Sequence, residues 1–289
     1  MYKIAIIGSE NSHALHFASI LAPKSGEKRF PDIELIGVCG DEKSNAAIAE
    51  KTALTCFTDD PNAFLGKVDG IMVTSRHGGV HLKYAKPYMD AGCKIWLDKP
   101  ITASVKDAEE VVRIVKEKNL LLCGGSSLAG AEGTVKMAEF VRENRAKVTG
   151  GHVTAPINLV NDYGNFWFYS QHLVQMVTEV FGQEITSVEA REKKDGVHSI
   201  LHYPDFDVTA YFGAGYSITA YLGGYGVKCQ EVELTGEYFM PELNEMAEML
   251  RHSKVRQTPE EVVCPVTVID AIIRSMESGG AETGLREIV

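Results

Sequence analysis

Along the first 123 positions the apolar residues follow two alternating periods. Short aliphatic and β-branched runs at 2–7, 33–38, 71–74, 94–97 and 120–123 predict strands. Between them, apolar residues spaced three and four apart predict helices at 14–21, 43–51, 80–91 and 105–118. The last is the most regular, with Val105, Ala108, Val111, Val112 and Val115 on one stripe. Gly92 closes the third helix as a residue free to turn left-handed. Strands alternating with helices of this length predict right-handed βαβ units and a parallel, doubly wound sheet.

After Gly124 the rhythm changes. Helices are predicted at 132–143 and 171–181, and extended segments at 186–190, 206–212, 217–222 and 230–234. Glycine-rich breaks such as Gly223-Gly224 separate the extended segments. The tail reads as helical at 241–249 and 265–277. The expectation is an α/β chain in two domains: residues 1–123 around a parallel sheet, and residues 124–289 as an α+β domain with an open, mostly antiparallel sheet.

Composition narrows the function. The 289 residues carry 29 basic and 39 acidic side chains, a net charge of −10. Such a surface argues against nucleic acid or an anionic membrane as partner. No apolar run approaches the roughly 20 residues that span a bilayer, and the chain opens directly on a strand rather than a signal segment. The six cysteines, at 39, 56, 93, 123, 229 and 264, show no paired spacing. They read as reduced, mostly buried thiols, and the expected location is cytoplasmic. His77/His81 and His198/His202 are each four apart, but Gly78 and Gly79 break the first pair and no third ligand stands near the second. No metal site is expected.

The most informative stretch is Lys94-Ile95-Trp96-Leu97-Asp98-Lys99-Pro100. Proline ends the strand, so Lys99 falls at its carboxyl edge, where open parallel sheets bind ligands. A lysine held in a cleft there has a lowered pKa and can accept or donate a proton. An ordinary surface lysine in a turn is the alternative. The first strand-to-helix turn, Gly8-Ser9-Glu10-Asn11-Ser12-His13, keeps only one of the three glycines of a dinucleotide loop. Asn11 and Ser12 can cap the helix and touch phosphate. Glu10 either repels a pyrophosphate or is kept away from it by a salt bridge, with Arg76 the nearest candidate. Asp41 comes one or two places later than the usual ribose-binding acid. Arg76 could clamp a phosphate or carboxylate, or pair with Asp98 or Glu10.

With the Asp98-Lys99-Pro100 strand end in place, the whole order resembles the glucose-fructose oxidoreductase / inositol dehydrogenase (Gfo/Idh/MocA) family. Asp98-Lys99-Pro100 is similar to its Glu-Lys-Pro motif. Ser75-Arg76-His77-Gly78-Gly79-Val80-His81 is similar to its strand-end T-P-x-x-x-H stretch. Gly164 followed by residues 168–175 is similar to its second-domain D-x-x-x-H-x-x-D motif, with His172 kept and Phe168 and Gln175 in place of the two carboxylates.

The resemblance implies a Rossmann domain followed by an α+β substrate domain, and a dehydrogenase using NAD or NADP on a sugar, polyol, inositol or related compound. Lys99 would relay the proton, and His172 would be its acid/base or orienting partner. Cofactor would meet Gly8, Glu10, Asn11, Ser12, His13, Asp41, Ser75, Arg76, His77, His81 and Asp98. Substrate would meet Lys99, Asn165, Trp167, Tyr169, His172 and Gln175. The missing glycines and carboxylates leave a second expectation, a non-catalytic ligand-binding or regulatory protein that retains the fold. The aromatic and amide-rich run 161–169 reads either as a polar-ligand pocket or as part of an assembly interface. Apolar residues in both alternating sets of 208–212 and 217–222 predict a homodimer or homotetramer formed through the second sheet.

Overall fold

The structure, a computed structural model, describes residues 1–288. In chain order the first half contains β1 (Tyr2–Ile7), α1 (Ser12–Leu21), β2 (Ile33–Cys39), α2 (Glu42–Lys51), β3 (Phe57–Thr58), β4 (Gly70–Val73), α3 (His81–Asp90), β5 (Lys94–Asp98), α4 (Val105–Glu117) and β6 (Leu122–Gly125). The second half contains α5 (Glu132–Glu143), β7 (Val148–Ala155), α6 (Phe166–Phe181), β8 (Ser187–Lys193), β9 (Gly196–His202), β10 (Asp207–Phe212), β11 (Ser217–Leu222), β12 (Gly226–Glu231), α7 (Met240–His252), α8 (Pro259–Glu277) and β13 (Thr283–Gly284).

Two compact units result, one of residues 1–125 and 242–262, the other of residues 126–241 and 263–288. A single cut after residue 123 misses the return of 242–262 to the first unit. Helical periodicity shows that α7 has a buried face but not which core that face joins.

In the first unit all the strands run parallel in the order β3-β2-β1-β4-β5-β6. This is the doubly wound order, and its topological switch point lies between β1 and β4. The central strands are buried on both faces, which explains their unbroken apolar runs: Ile4, Ala5, Ile6, Ile71, Met72, Val73, Ile95, Trp96 and Leu97 are all inaccessible. The expected stripe of α4 is buried, and Ser104 caps the helix by accepting from the Asp107 N–H at 3.1 Å. Most of helix α7 belongs to this unit. Arg251, near its carboxyl end, pairs with Asp32, the residue before β2. Met246 packs against Gly70 at the start of β4, where an added Cβ would lie 3.1 Å from its Cε.

The second unit has a seven-stranded sheet ordered β12-β11-β7-β10-β9-β8-β13, antiparallel except for the β7/β10 pair. Val208, Ala210, Phe212, Ile218 and Ala220 face the core with Leu173, Val174 and Val177 of α6. The opposite side chains are Thr209, Tyr211, Thr219 and Tyr221, so the outward face combines aromatic rings with hydroxyls.

Several element limits differ from the sequence reading. Helix α6 starts at Phe166, five residues early, because the aromatic run supplies its buried face. The last extended segment is 226–231 rather than 230–234, since β12 pairs as a hairpin with β11 through the turn at 223–225. Strands β7 and β9 are additional. Pro265 lies inside α8. Three cysteines are buried, but Cys56 and Cys229 are exposed. Among the described residues no helix is long and apolar enough to cross a membrane.

Candidate active site

The switch point of the first sheet is tightly built. Gly8 has φ +107°, and a Cβ there would lie 2.3 Å from the Ser75 nitrogen. Thr74 donates from its hydroxyl to the Gly8 carbonyl at 2.8 Å, so the ends of β1 and β4 are joined. Asn11 caps α1, its side chain accepting from the His13 N–H at 3.2 Å. No acidic residue occupies the first turn of that helix. The Ser9 hydroxyl is buried and without a partner in this turn. Glu10 is turned aside, its Oε1 accepting from the Arg76 backbone N–H at 3.2 Å.

Asp98 is the electrostatic centre of the unit. It is inaccessible, and it accepts from Asn11 Nδ2 at 2.8 Å and from the Lys99 N–H at 2.7 Å. His13 Nδ1 lies 3.0 Å from Asp98 Oδ1. A buried carboxylate needs such partners to offset its lost hydration. Lys99 follows, 3% exposed, and the Lys99–Pro100 peptide is cis. Burial lowers the Lys99 pKa; the Asp98 carboxylate opposes that shift and Arg76 reinforces it. An amine so placed gives up its proton more readily than a free lysine, so more of it is unprotonated and able to accept one near neutral pH. His81, fully buried at the start of α3, is held by the Ser75 carbonyl at 2.7 Å and the Ile101 carbonyl at 3.2 Å. Its pKa is lowered, chiefly by burial.

In the second unit the buried face of α6 presents a second polar group. His172 Nδ1 lies 2.7 Å from the Ser126 hydroxyl. Gln175 Oε1 accepts from the Ser126 N–H at 2.7 Å and from Gln171 Nε2 at 3.1 Å. The rings of Tyr169 and Tyr216 stand 5.3 Å and 6.4 Å from that of His172.

Residues 2–125 match a family described as an oxidoreductase family with an NAD-binding Rossmann fold, Gfo/Idh/MocA. Residues 2–125 thus form an NAD-binding Rossmann domain of the Gfo/Idh/MocA type. No curated protein matches it in sequence. Among solved structures it is similar to myo-inositol 2-dehydrogenase from Lactobacillus plantarum, at 13% identity over 99% of each chain with a TM-score of 0.83. It is also similar to scyllo-inositol dehydrogenase from Lactobacillus casei with bound NAD(H) and scyllo-inositol, at 13% identity over 98% of this chain and 99% of that one, TM-score 0.80. A third is GenD2 from gentamicin A biosynthesis in complex with NAD, at 15% identity over 99% and 97%, TM-score 0.82. At these identities the likeness is one of fold.

In this chain the expected residues do not all gather. Gly8, Glu10, Asn11, Ser12, His13, Ser75, Arg76, Asp98 and Lys99 lie around the switch point and the neighbouring β5 edge. Asn11, His13 and Asp98 are spent largely on one another. His77 caps the turn at 78–80, its Nδ1 accepting from the Gly79 N–H at 3.0 Å. Asp41 caps α2 by accepting from the Ser44 N–H at 2.9 Å. Tyr169, His172 and Gln175 belong together, whereas Asn165 and Trp167 line a different cleft of about 500 Å³ with Glu192 and Glu277. Ser126 and Gln171, which complete the His172 cluster, carry no motif and are visible only in three dimensions. Among the described residues no three His, Cys, Asp or Glu side chains gather to hold a metal.

The switch-point turn fits a dinucleotide. It has the one glycine that the backbone crossing requires, an orphaned buried hydroxyl at Ser9, a helix start free of acidic side chains, and a Glu10 held by backbone.

Proposed function

We propose that the protein is a NAD(P)-dependent dehydrogenase of a polyol, inositol, sugar or related hydroxy/oxo compound, with Lys99 as proton relay and His172 as acid/base or orienting partner. The observation that carries this reading is the burial of Lys99 at the carboxyl edge of β5, one strand from the switch point. Gly8, Ser9, Asn11, Ser12 and the start of α1 would hold the pyrophosphate, and Asp41 the ribose. Asp41 and Glu10 would disfavour a further phosphate, so NAD is the expected cofactor. When bound, the cofactor supplies hydride transfer. Lys99 takes the proton of the reacting hydroxyl during oxidation and returns it during reduction. His172, whose Nδ1 meets the Ser126 hydroxyl, serves as the acid/base or orienting partner. The location proposed is cytoplasmic, and the assembly a homodimer or homotetramer through the outward face of the second sheet.

The test is Lys99→Ala in a screen over polyols and sugars. Turnover is expected to fall roughly 10²-fold or more, the usual effect of losing a general acid–base group, while NADH affinity persists. Unchanged turnover removes Lys99 from the chemistry. A second reading, a binding protein that retains the fold, draws on Gln175, which is committed to Ser126 where the family motif has a carboxylate. NADH binding without turnover on any polyol or sugar favours it.

A further inference from the structure

In the second unit two backbone N–H groups dictate where the protons of the His172 cluster lie. A backbone N–H can only donate, so a side-chain atom that it meets must be an acceptor. The Ser126 N–H lies 2.7 Å from the end of Gln175, which makes that atom the amide oxygen. Gln171 Nε2 donates to the same oxygen at 3.1 Å. The Gln175 oxygen is thus used twice, and its NH2 is turned to the other side. Among the described residues no acceptor meets that NH2, although Gln175 is only 6% exposed. A buried amide donor without an acceptor is costly, and a ligand that supplies the acceptor removes the cost.

The second N–H acts through a hydroxyl. The Leu128 N–H donates to Ser126 Oγ at 3.2 Å, and His172 Nδ1 lies 2.7 Å from the same oxygen. Were Nδ1 to donate as well, the proton of the buried Ser126 hydroxyl would have no acceptor among the described residues. The hydroxyl therefore donates to Nδ1, and the neutral His172 ring carries its proton on Nε2. His172 and Gln175 are three residues apart on α6, so they share its buried face. Both are set as donors by the chain that follows β6. A substrate hydroxyl on either one can accept, but its own proton then needs an acceptor in turn. A carboxylate accepts from both and brings no proton, and hydrogen bonds to a charged acceptor are roughly twice as strong as neutral ones.

We infer that Gln175 is a specificity-determining residue: together with His172 it binds a carboxylate of the substrate, so the substrate class is hydroxy acids and sugar acids rather than neutral polyols. The inference rests on the dehydrogenase reading for the oxidation, and on the hydrogen bonds of the second unit alone for the binding. A glutamate at this position would still accept from the Ser126 N–H, but its remaining oxygen would accept rather than donate and would repel a carboxylate.

The test uses two matched pairs of probes, D-gluconate against D-glucitol and D-glucuronate against D-glucose, in which a carboxylate replaces a hydroxymethyl group. Dissociation constants are measured by calorimetry on the full chain, with and without NADH. The Gln175 side-chain amide is followed by nitrogen-15 NMR and assigned by its loss in Gln175→Glu. In at least one pair the carboxylate is expected to bind about tenfold or more tighter than its neutral twin, and to shift the Gln175 amide resonance. No carboxylate preference in either pair, or binding that leaves that resonance unmoved, overturns the inference. In Gln175→Glu the carboxylate should weaken by about tenfold or more while its neutral twin is kept; an unchanged preference also overturns it. The thermal midpoint of the variant exposes a folding defect, and the parent measurements decide the matter even if the variant does not fold. Turnover with NAD separates the two readings. A carboxylate that binds at Gln175 and is not oxidised sinks the dehydrogenase reading alone. Lys99-dependent oxidation of the neutral twins, with no carboxylate preference, sinks this inference alone.

Discussion

Gly8 is a position in the first unit where one added methyl group would do much harm. Its φ of +107° is unfavourable for an L side chain, and the new Cβ would meet the Ser75 nitrogen at 2.3 Å. Gly8→Ala is expected to lose roughly 2–5 kcal/mol from strain and overpacking together, read as a lower urea midpoint, and to weaken NADH binding. Glu10 is the opposite case. With its carboxylate engaged by the Arg76 N–H, Glu10→Gly removes a useful bond rather than a repulsion. NADH affinity should stay the same or weaken at both low and high salt. Binding tightened about tenfold at low salt, with the gain shrinking as salt rises, would mean the carboxylate faces the phosphates after all. Glu242 carries its own pH signature. Its folded pKa lies above the usual 4.5, so above that value the unfolded chain has released a proton that the folded chain still holds. Stability therefore falls as pH rises from about 4.5 toward the folded pKa, and the thermal midpoint of Glu242→Gln should gain on the parent over that window. Lys99 was legible in the sequence because a proline marks the end of its strand. Glu242 was not, because a glutamate in a polar helical stretch reads as a solvated side chain, and only the path of α7 shows it to be buried.

At the level of elements, legibility followed burial on two faces. Strands β1, β4 and β5 are apolar throughout because helices cover both sides of a parallel sheet, and α4 has a single clean stripe. Strands β7 and β9 escaped notice for the opposite reason. β7 contains Gly150 and Gly151, which accommodate neighbouring backbone and the Phe181 ring, and β9 alternates core residues with His198 and His202. Glycine and histidine both weaken a strand signal that a covered sheet tolerates. The start of α6 is hard to read because Asn161 and Asn165, the latter at φ 55°, hold the preceding turn through side-chain-to-backbone bonds in both directions, a turn that local composition does not mark. That geometry makes Asn165 a structural residue. Asn165→Ala should lower stability by about 1 kcal/mol, the usual net worth of one hydrogen bond, here from the Asn161 N–H to its Oδ1, with less effect on turnover than any change at His172.

The whole molecule raises the question of what covers the second sheet. One face is buried by α6 and its neighbours; the other bears Thr209, Tyr211, Thr219, Tyr221, His152, His198 and Ile200. Ring pairs already order this face, with His198 stacked on Tyr211 at 4.4 Å and His152 bonded to the Thr209 hydroxyl at 2.8 Å. A surface of threonine and tyrosine, pre-set in its rotamers, loses little entropy on association and offers both apolar area and hydrogen-bonding tips. Self-association is therefore expected, with a drier centre and more polar contacts than an aliphatic sheet face would give. Thr209 sits mid-strand between β7 and β9, and an arginine there would place a charge at the centre of the face. Sedimentation at micromolar concentration should show the parent as a multiple of 31.6 kDa and Thr209→Arg as the monomer. A parent that sediments as a clean monomer would remove the interface. A variant that stays oligomeric would move it to another surface. The variant's turnover adds a further distinction: if activity falls with assembly while NADH affinity holds, the outward face supports the second unit's site from behind, through the strands that carry α6.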